Sequence, residues 1–428
     1  MARRLLLLCT LAAGLPGRAQ EAYNPLQPMT AEQVLLGRTR NVVAEMLKSM
    51  PNFTCVQTIE RSQRRPDTKR FQMLDTLRLE VALVNGKELY AWPGSPKFDE
   101  RDVRDMVGGQ GAIGTGDFAL HARSIFLGTG VEFKFLGKEE LNGRPANKFH
   151  FRVSLANSLY FIRIGAAENV VGYQGHVWND AATLELRRIE MTIDEIPPNI
   201  PLKQGYKLID YGQVAIGEAS YILPTTMEMT LTGVNGGENR NRTVFSRCRQ
   251  YMGESTLIFD DPPPEAAPRA APVVTVLPPE LKLQARLAAT VDLSKAATGD
   301  QVIFEVTKDA VKDGAVLVPK GARLEMRLDL VVCRDFPYGH CYVALAPVRF
   351  SFGGNSGGLR AALDSPALDR TIQIMFGNLR PEARLPPAEI GQASPGSSML
   401  LLRGSRGKLS SGFATVWRTL EARGEDQP

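Results

Sequence analysis

A chain of 428 residues, 43% of them hydrophobic, is long enough for two folded cores. Its formal net charge of +5 comes from 51 basic and 46 acidic residues interleaved along the chain, a mixed surface that argues against a nucleic-acid groove. After the N-terminal segment no run approaches the ~18 apolar residues of a membrane helix, so no transmembrane span is expected.

Arg3 and Arg4 precede Leu5-Leu6-Leu7-Leu8 and an apolar run to Leu15, followed by the small residues Gly17 and Ala19. That order reads as a secretory signal peptide over residues 1–19, with cleavage after Ala19 and a destination in the periplasm or outside the cell. Cys9 follows Leu8 directly rather than a small residue, which disfavours a lipoprotein signal. Four cysteines then remain in an oxidising compartment: Cys55, Cys248, Cys333 and Cys341. They allow three pairings. Cys333 and Cys341 flank a turn-rich loop, while Cys55 and Cys248 lie near the two ends of the first domain, so the expected bridges are Cys55–Cys248 and Cys333–Cys341. Neither pair has C-x-x-C spacing and no histidine repeat accompanies them, so no metal site is expected, and no motif calls for a cofactor.

Thr30 and Gln33 form a capping-box signature. Leu36, Val43, Leu47 and Met50 then share one helical face until Pro51 ends the helix. The period next changes to two: Phe53, Cys55 and Ile59 alternate with polar residues, as do Leu77, Leu79, Val81 and Leu83. Asn85-Gly86, Asn142-Gly143 and Asn235-Gly236 each separate strand-like runs, the pattern of type I′ hairpins in an antiparallel meander. Further strands are expected at 131–135, 148–153, 184–193, 206–216, 227–231 and 243–251, with helix and glycine-rich loop between Asp99 and Phe126. Gly109-Gln110-Gly111-Ala112-Ile113-Gly114 matches a dinucleotide fingerprint in letters only, because it does not follow a strand. The carboxylate pairs Asp194-Glu195 and Asp260-Asp261 abut prolines and read as solvated loop.

The opening helix, the strand Asn52-Phe53-Thr54-Cys55, the segment Val177-Trp178-Asn179-Asp180 leading to Leu186-Arg187-Arg188-Ile189-Glu190, and the late Leu223-Pro224-Thr225 strand together resemble LolA/LolB-like periplasmic lipoprotein carriers over roughly residues 24–255. The resemblance implies an α+β fold in which a curved antiparallel β half-barrel is covered by helices and its concave apolar face holds acyl chains. On that view Leu77, Leu79, Val81, Phe133, Phe135, Phe149, Phe151, Ile189 and Met191 are candidate ligand-lining residues, unless they pack directly on the helix that carries Leu36 and Val43.

Residues 259–280 are proline-rich and read as a linker. They divide a first domain over residues 20–258 from a β-rich second domain over 281–428. The run from Gly299 to Leu324 resembles the β-barrel domain of the outer-membrane pore subunit of type IV secretion systems, which implies a mostly-β, barrel-like second domain. An irregular Gly/Pro-rich loop is expected around 353–398, before a last strand near Phe413 to Leu420. Gly354-Asn355-Ser356-Gly357-Gly358 within it matches the nucleophile loop of trypsin-like proteases. His340, a base candidate, lies too close in sequence to Ser356 for two intervening barrels.

The expected function is therefore binding rather than catalysis: an exported cell-envelope protein holding a lipid, an acyl chain or a lipoprotein. A second reading is a structural or assembly module of an outer-membrane complex, with envelope proteins as partners, and a third is a serine hydrolase.

Overall fold

The structure, a computed structural model, describes residues 28–95, 98, 103–107, 112–251, 276–334, 339–365, 397–403 and 407–421. The signal segment, most of the proline-rich linker and Gly109–Gly111 lie outside them.

Helix α1 (Ala31–Ser49) opens the first unit. Thr30 Oγ1 accepts from the Gln33 backbone N at 3.2 Å and Gln33 Oε1 accepts from the Thr30 N at 2.9 Å, which closes the expected capping box. Strands β1 (Phe53–Arg64), β2 (Gln72–Val84) and β3 (Lys87–Ala91) come next, followed by helices α2 (Val103–Val107) and α3 (Leu120–Leu127). The chain then runs through β4 (Glu132–Leu141), β5 (Arg144–Val153), β6 (Phe161–Ile164), β7 (Ala167–Val170), β8 (Gly172–Asp180), β9 (Leu186–Glu195), β10 (Leu202–Ile216), β11 (Ala219–Gly233) and β12 (Glu238–Gln250). Ten of these form one antiparallel sheet in the order β3-β2-β1-β12-β11-β10-β9-β8-β5-β4, while β6 and β7 make a separate hairpin. The sheet is a meander with one long-range seam, β1 against β12, where Phe53 sits opposite Gln250. It curls into a half-barrel. Val43 and Leu47 of α1 and Ala122, Ile125 and Phe126 of α3 pack into its concave face.

Asn85-Gly86 and Asn142-Gly143 have positive φ at both residues (51° and 77°, 51° and 76°), as type I′ turns require. Asn235-Gly236 departs from that expectation. Only Gly236 is at positive φ (81°), and the connection is a longer loop in which the Gly233 N donates to the Gly237 O at 2.8 Å.

The second unit comprises β13 (Lys282–Leu287), β14 (Val291–Asp292), β15 (Gln301–Val306), β16 (Ala310–Lys312), β17 (Ala315–Val318), β18 (Arg323–Arg334), β19 (His340–Phe352), β20 (Asn355–Gly358), β21 (Ala361–Ser365), β22 (Ser398–Arg403), β23 (Lys408–Leu409) and β24 (Ala414–Thr419). Eight of them build one sheet, ordered β20-β19-β18-β15-β13-β24-β21 with β22 also on β19. Burial alternates strictly along β13, and its inward residues join Phe304, Leu345, Phe350 and Trp417 in a separate core. The stretch expected as loop from residue 353 instead begins with two strands. Gly353 and Gly354, at φ 51° and 83°, turn the chain so that β20 pairs with β19, and β21 follows beside β24. Residues 366–396 lie outside the described part. Ser356 Oγ accepts from Arg349 Nη2 at 3.1 Å, so its recorded side-chain partner is a guanidinium rather than an imidazole.

Both predicted disulfides form: Cys55–Cys248 across the β1/β12 seam and Cys333–Cys341 between facing residues of β18 and β19. The two units also meet. Beyond the reach of β3, the outer edge of β2 is taken by Thr298, whose N donates to the Thr76 O and whose O accepts from the Arg78 N, both at 2.8 Å. Arg78 pairs with Asp300, Arg334 Nη1 donates to the Met73 O at 2.8 Å, and the Arg327 guanidinium lies 4.6 Å from the Trp92 ring centroid. An otherwise open sheet edge is thereby covered by the chain's own second half.

Candidate ligand cleft on the concave face

Strand pairing aligns the inward side chains in rows. One row runs Asp75, Arg61, Asn241, Met229, Lys207, Met191, Gly175, Phe151 and Phe133 across β2, β1, β12, β11, β10, β9, β8, β5 and β4. Along this row the concave face is apolar from β4 to β9 and polar on β2, β1 and β12, whereas neighbouring rows of β1 and β2 are apolar, with Ile59, Leu77 and Leu79 in the core. Lys207 faces inward because it shares the parity of Gly205, Ile209 and Tyr211 on β10.

Residues 112–119 form a strap over the polar end of this row, tied down at several points. Asn241 Nδ2 donates to the Ala112 O at 2.8 Å. The Glu88 carboxylate accepts from the Gly116 N (2.7 Å), the Phe118 N (2.9 Å) and the Tyr90 hydroxyl (2.7 Å). Lys207 Nζ donates to Asp117 Oδ1 at 2.8 Å and lies 3.0 Å from His121 Nε2. Since an ammonium only donates, His121 Nε2 must accept, which fixes a neutral imidazole with its proton on Nδ1. Burial, and then the Lys207 charge, hold the His121 pKa well below its usual value. Burial also opposes the charge on Lys207, but Asp117, Tyr160 and Glu88 together outweigh it and its pKa is pushed up to about 12. The Glu88 carboxyl is raised, by burial first and by the neighbouring Asp117 second, despite its three donors.

This geometry sets an acid limit on stability. Unfolded, His121 takes up a proton near pH 6.5; folded, it does not, so its contribution is lost progressively as the pH falls below about 6.5. Glu88 has the opposite sign, and His176, also lowered, adds to the loss. His121→Gln leaves both of those in place. The expected outcome is a smaller fall in Tm between pH 7 and pH 5 for the variant than for the wild type, measured by thermal melts across that range; equal falls would exclude His121 as the source.

Beside the strap, the concave face opens into a cleft of about 430 Å³, within the ~300–1,000 Å³ typical of small-ligand sites. Its walls come from separate elements: the β6–β7 hairpin (Phe161–Gly165), Pro201 and Leu202 at the start of β10, Met229, Leu231 and Asn239 of β11 and β12, the strap at 112–115, and Arg61, Arg104 and Val107. Tyr160 stands at the junction, lining the cleft and meeting His121 edge-on at 5.2 Å between ring centroids. Phe161, which lines the cleft, is 60% exposed, unusual for so large an apolar side chain. Among the described residues no group of three His, Cys, Asp or Glu side chains is arranged to hold a metal ion.

The nine candidate lining residues all lie on the first unit's sheet, but none lines this cleft. Leu77, Leu79, Val81, Phe149, Phe151, Ile189 and Met191 are buried in the core under α1 and α3, and Phe133 and Phe135 are half-buried against it. The cleft residues Ile162, Leu202, Met229 and Leu231 escaped the sequence reading because a separate hairpin and a strand start supply half of the wall. The buried Lys207 and Asp117 and the half-buried Glu88 were also missed, although the parity of Lys207 with Ile209 was a usable signal.

No protein-family model matches the chain, and no curated protein does. Several solved structures are similar to about half of it. A DUF1329 family protein from Desulfovibrio piger is 10% identical, with 53% of this chain and 97% of that one covered and a TM-score of 0.29. A putative outer membrane lipoprotein-sorting protein domain from Vibrio parahaemolyticus is 14% identical, with coverage of 51% and 94% and a TM-score of 0.28. A LolA superfamily protein from Nitrosomonas europaea is 11% identical, with coverage of 53% and 96% and a TM-score of 0.26. TM-scores this low add no weight to the site, whose geometry stands on its own residues and distances. The first half of the chain is a helix-lined antiparallel half-barrel, the LolA-like architecture implied by its sequence pattern.

Proposed function

We propose that the chain is an exported cell-envelope protein that binds rather than catalyses, holding the acyl part of a lipid or lipid-modified protein in the concave cleft. The observation that carries this reading is the cleft itself, a cavity with Ile162, Leu202, Met229 and Leu231 in its walls and the exposed Phe161 ring in its lining. Burying an acyl chain there removes apolar surface from water at about 25 cal/mol per Å². The two disulfides fit an oxidising compartment, and no described helix is long and apolar enough to cross a membrane.

Native mass spectrometry of the chain purified from Gln20 onward, before and after organic extraction, tests the reading. Stoichiometric amphiphile that is lost on extraction is the expected result. Leu231→Trp, which fills the cleft, is expected to abolish its retention. A chain that carries no amphiphile and takes none up when a fluorescent fatty acid is offered would overturn it.

The assembly-module reading is favoured by one feature of the second unit, the β16–β17 hairpin, where the facing pair Val311 and Val316 is 52% and 53% exposed. A lipid-free chain would direct attention to that hairpin as a docking element for an envelope partner.

A further inference from the structure

The convex face of the half-barrel, turned away from the cleft, carries a side-chain cluster of its own. His150 of β5 and His176 of β8 sit directly opposite each other in the antiparallel ladder, and Glu190 of β9 faces His176 from its other flank. Each adjoins an inward residue in sequence (Phe151, Gly175 and Met191), so all three side chains point outward. Both histidines are half-buried, and their ring centroids lie 5.6 Å apart at an interplanar angle of 70°. Two imidazoles that hold one ion at ~2.0–2.1 Å from nitrogen have centroids roughly 4.5–5.5 Å apart, so a small closing of this pair brings it to chelating distance. His150 Nε2 lies 3.3 Å from Gln174 Oε1. An amide oxygen only accepts, so Nε2 carries the proton and Nδ1 keeps its lone pair. A metal-bound imidazole is commonly held in this way, by a carbonyl on its other nitrogen. Burial, and then the Lys148 charge, hold the His176 pKa below its usual value, so that ring too is neutral at neutral pH, the form that ligates. Of the neighbouring cations, Lys148 is engaged by Glu139 at 3.3 Å and by the Trp178 ring at 4.9 Å, while the exposed Lys134 faces His150 from β4.

We propose that His150 and His176 form a two-imidazole site for a divalent transition ion, Cu2+ ahead of Zn2+, on the convex face. Among the described residues no third His, Cys, Asp or Glu completes a metal-holding group with them, so water fills the remaining positions and the ion exchanges with solvent. Glu190 contributes negative charge beside His176 rather than a bond to the ion. Imidazole combined with oxygen ligands suits Cu2+, which also binds most tightly in the first-row divalent series. An ion held there ties β5 to β8, and because it binds the folded chain it raises the stability of the first unit. The site lies on the face opposite the cleft and does not depend on the acyl-binding reading.

Titration of the full chain, purified without an affinity tag, with Cu2+ and separately with Zn2+ tests the site. Calorimetry is expected to show a single saturable Cu2+, with Zn2+ weaker, and electron paramagnetic resonance of the Cu2+ form to show coupling to two imidazole nitrogens. His150→Asn and His176→Asn are each expected to weaken Cu2+ binding at least about tenfold and to reduce the coupling to one nitrogen or none. Gln174→Leu, which leaves both ligands in place but removes the carbonyl that orients His150, is expected to cost about tenfold. The rise in Tm on adding Cu2+ is expected in the wild type and absent in the two histidine variants. Melts without metal, expected to match the wild type, separate a lost ligand from lost folding. Wild-type binding no tighter than that of the His150→Asn/His176→Asn double variant, or a spectrum with no imidazole nitrogen, would overturn the proposal.

Discussion

Replacing Lys207 with methionine is expected to lower the stability of the first unit by about 3–5 kcal/mol, because it strands the Asp117 carboxylate in the core without its cation. Both side chains are only 3% exposed, and the 2.8 Å contact between them joins β10 to the strap. Glu88, half-buried and bonded to the strap at Gly116 and Phe118, adds to the negative charge that Lys207 offsets. The double variant Lys207→Met with Asp117→Leu removes both charges and is expected to recover most of the loss, since a buried pair replaced by apolar groups of similar volume is often neutral. Urea unfolding of the wild type, the single and the double variants decides the matter. A single-variant loss below about 1 kcal/mol, the range of exposed ion pairs, would mean that water reaches the pair and that the strap is not sealed.

Removing the Cys55–Cys248 bridge as a double alanine variant is expected to cost more than removing Cys333–Cys341. The first closes a sequence separation of 193 residues and the second only 8. Chain-entropy scaling gives about 5 kcal/mol for the former and about 2.5 kcal/mol for the latter. The first bridge also sits at the β1/β12 seam, which joins strands from opposite ends of the first unit's sequence. Loop-closure entropy opposes such long-range pairing, so the unit without its bridge is expected to unfold first at this seam. Denaturant midpoints of the two double variants, with hydrogen exchange along β1 and β12, check both statements. Equal losses for the two bridges would show that loop length does not set their effect.

Local chemistry made much of the fold legible. Thr30 and Gln33 announced the start of α1 and Pro51 its end, because an N-cap and a ring without an N–H act within a single turn. Asn85-Gly86 and Asn142-Gly143 marked hairpins through their backbone freedom, while Asn235-Gly236 marked a hairpin of another kind because only its glycine takes positive φ. Alternation showed that Leu77, Leu79, Phe149 and Phe151 face the interior. It could not show which end of a curved face the helices cover. That choice depends on ties between residues far apart in sequence: Asn241 to Ala112, Lys207 to Asp117, Glu88 to Gly116. The cleft falls where the strap and the β6–β7 hairpin leave the face open, so its position follows from tertiary contacts that periodicity does not encode. Similarly, glycines at 353, 354, 357 and 358 read as loop in composition, yet β20 forms there because its backbone pairs with β19 and needs no side chains to do so.

Acyl binding in the concave cleft is tested most directly by mapping where a photoreactive fatty acid, carrying a diazirine near its terminal methyl, attaches to the full chain. Attachment is expected at Ile162, Leu202 and Leu231 or their immediate neighbours, competed by an unlabelled fatty acid and abolished in Leu231→Trp. Labelling confined to the second unit, or spread over the surface and indifferent to competitor, would contradict it.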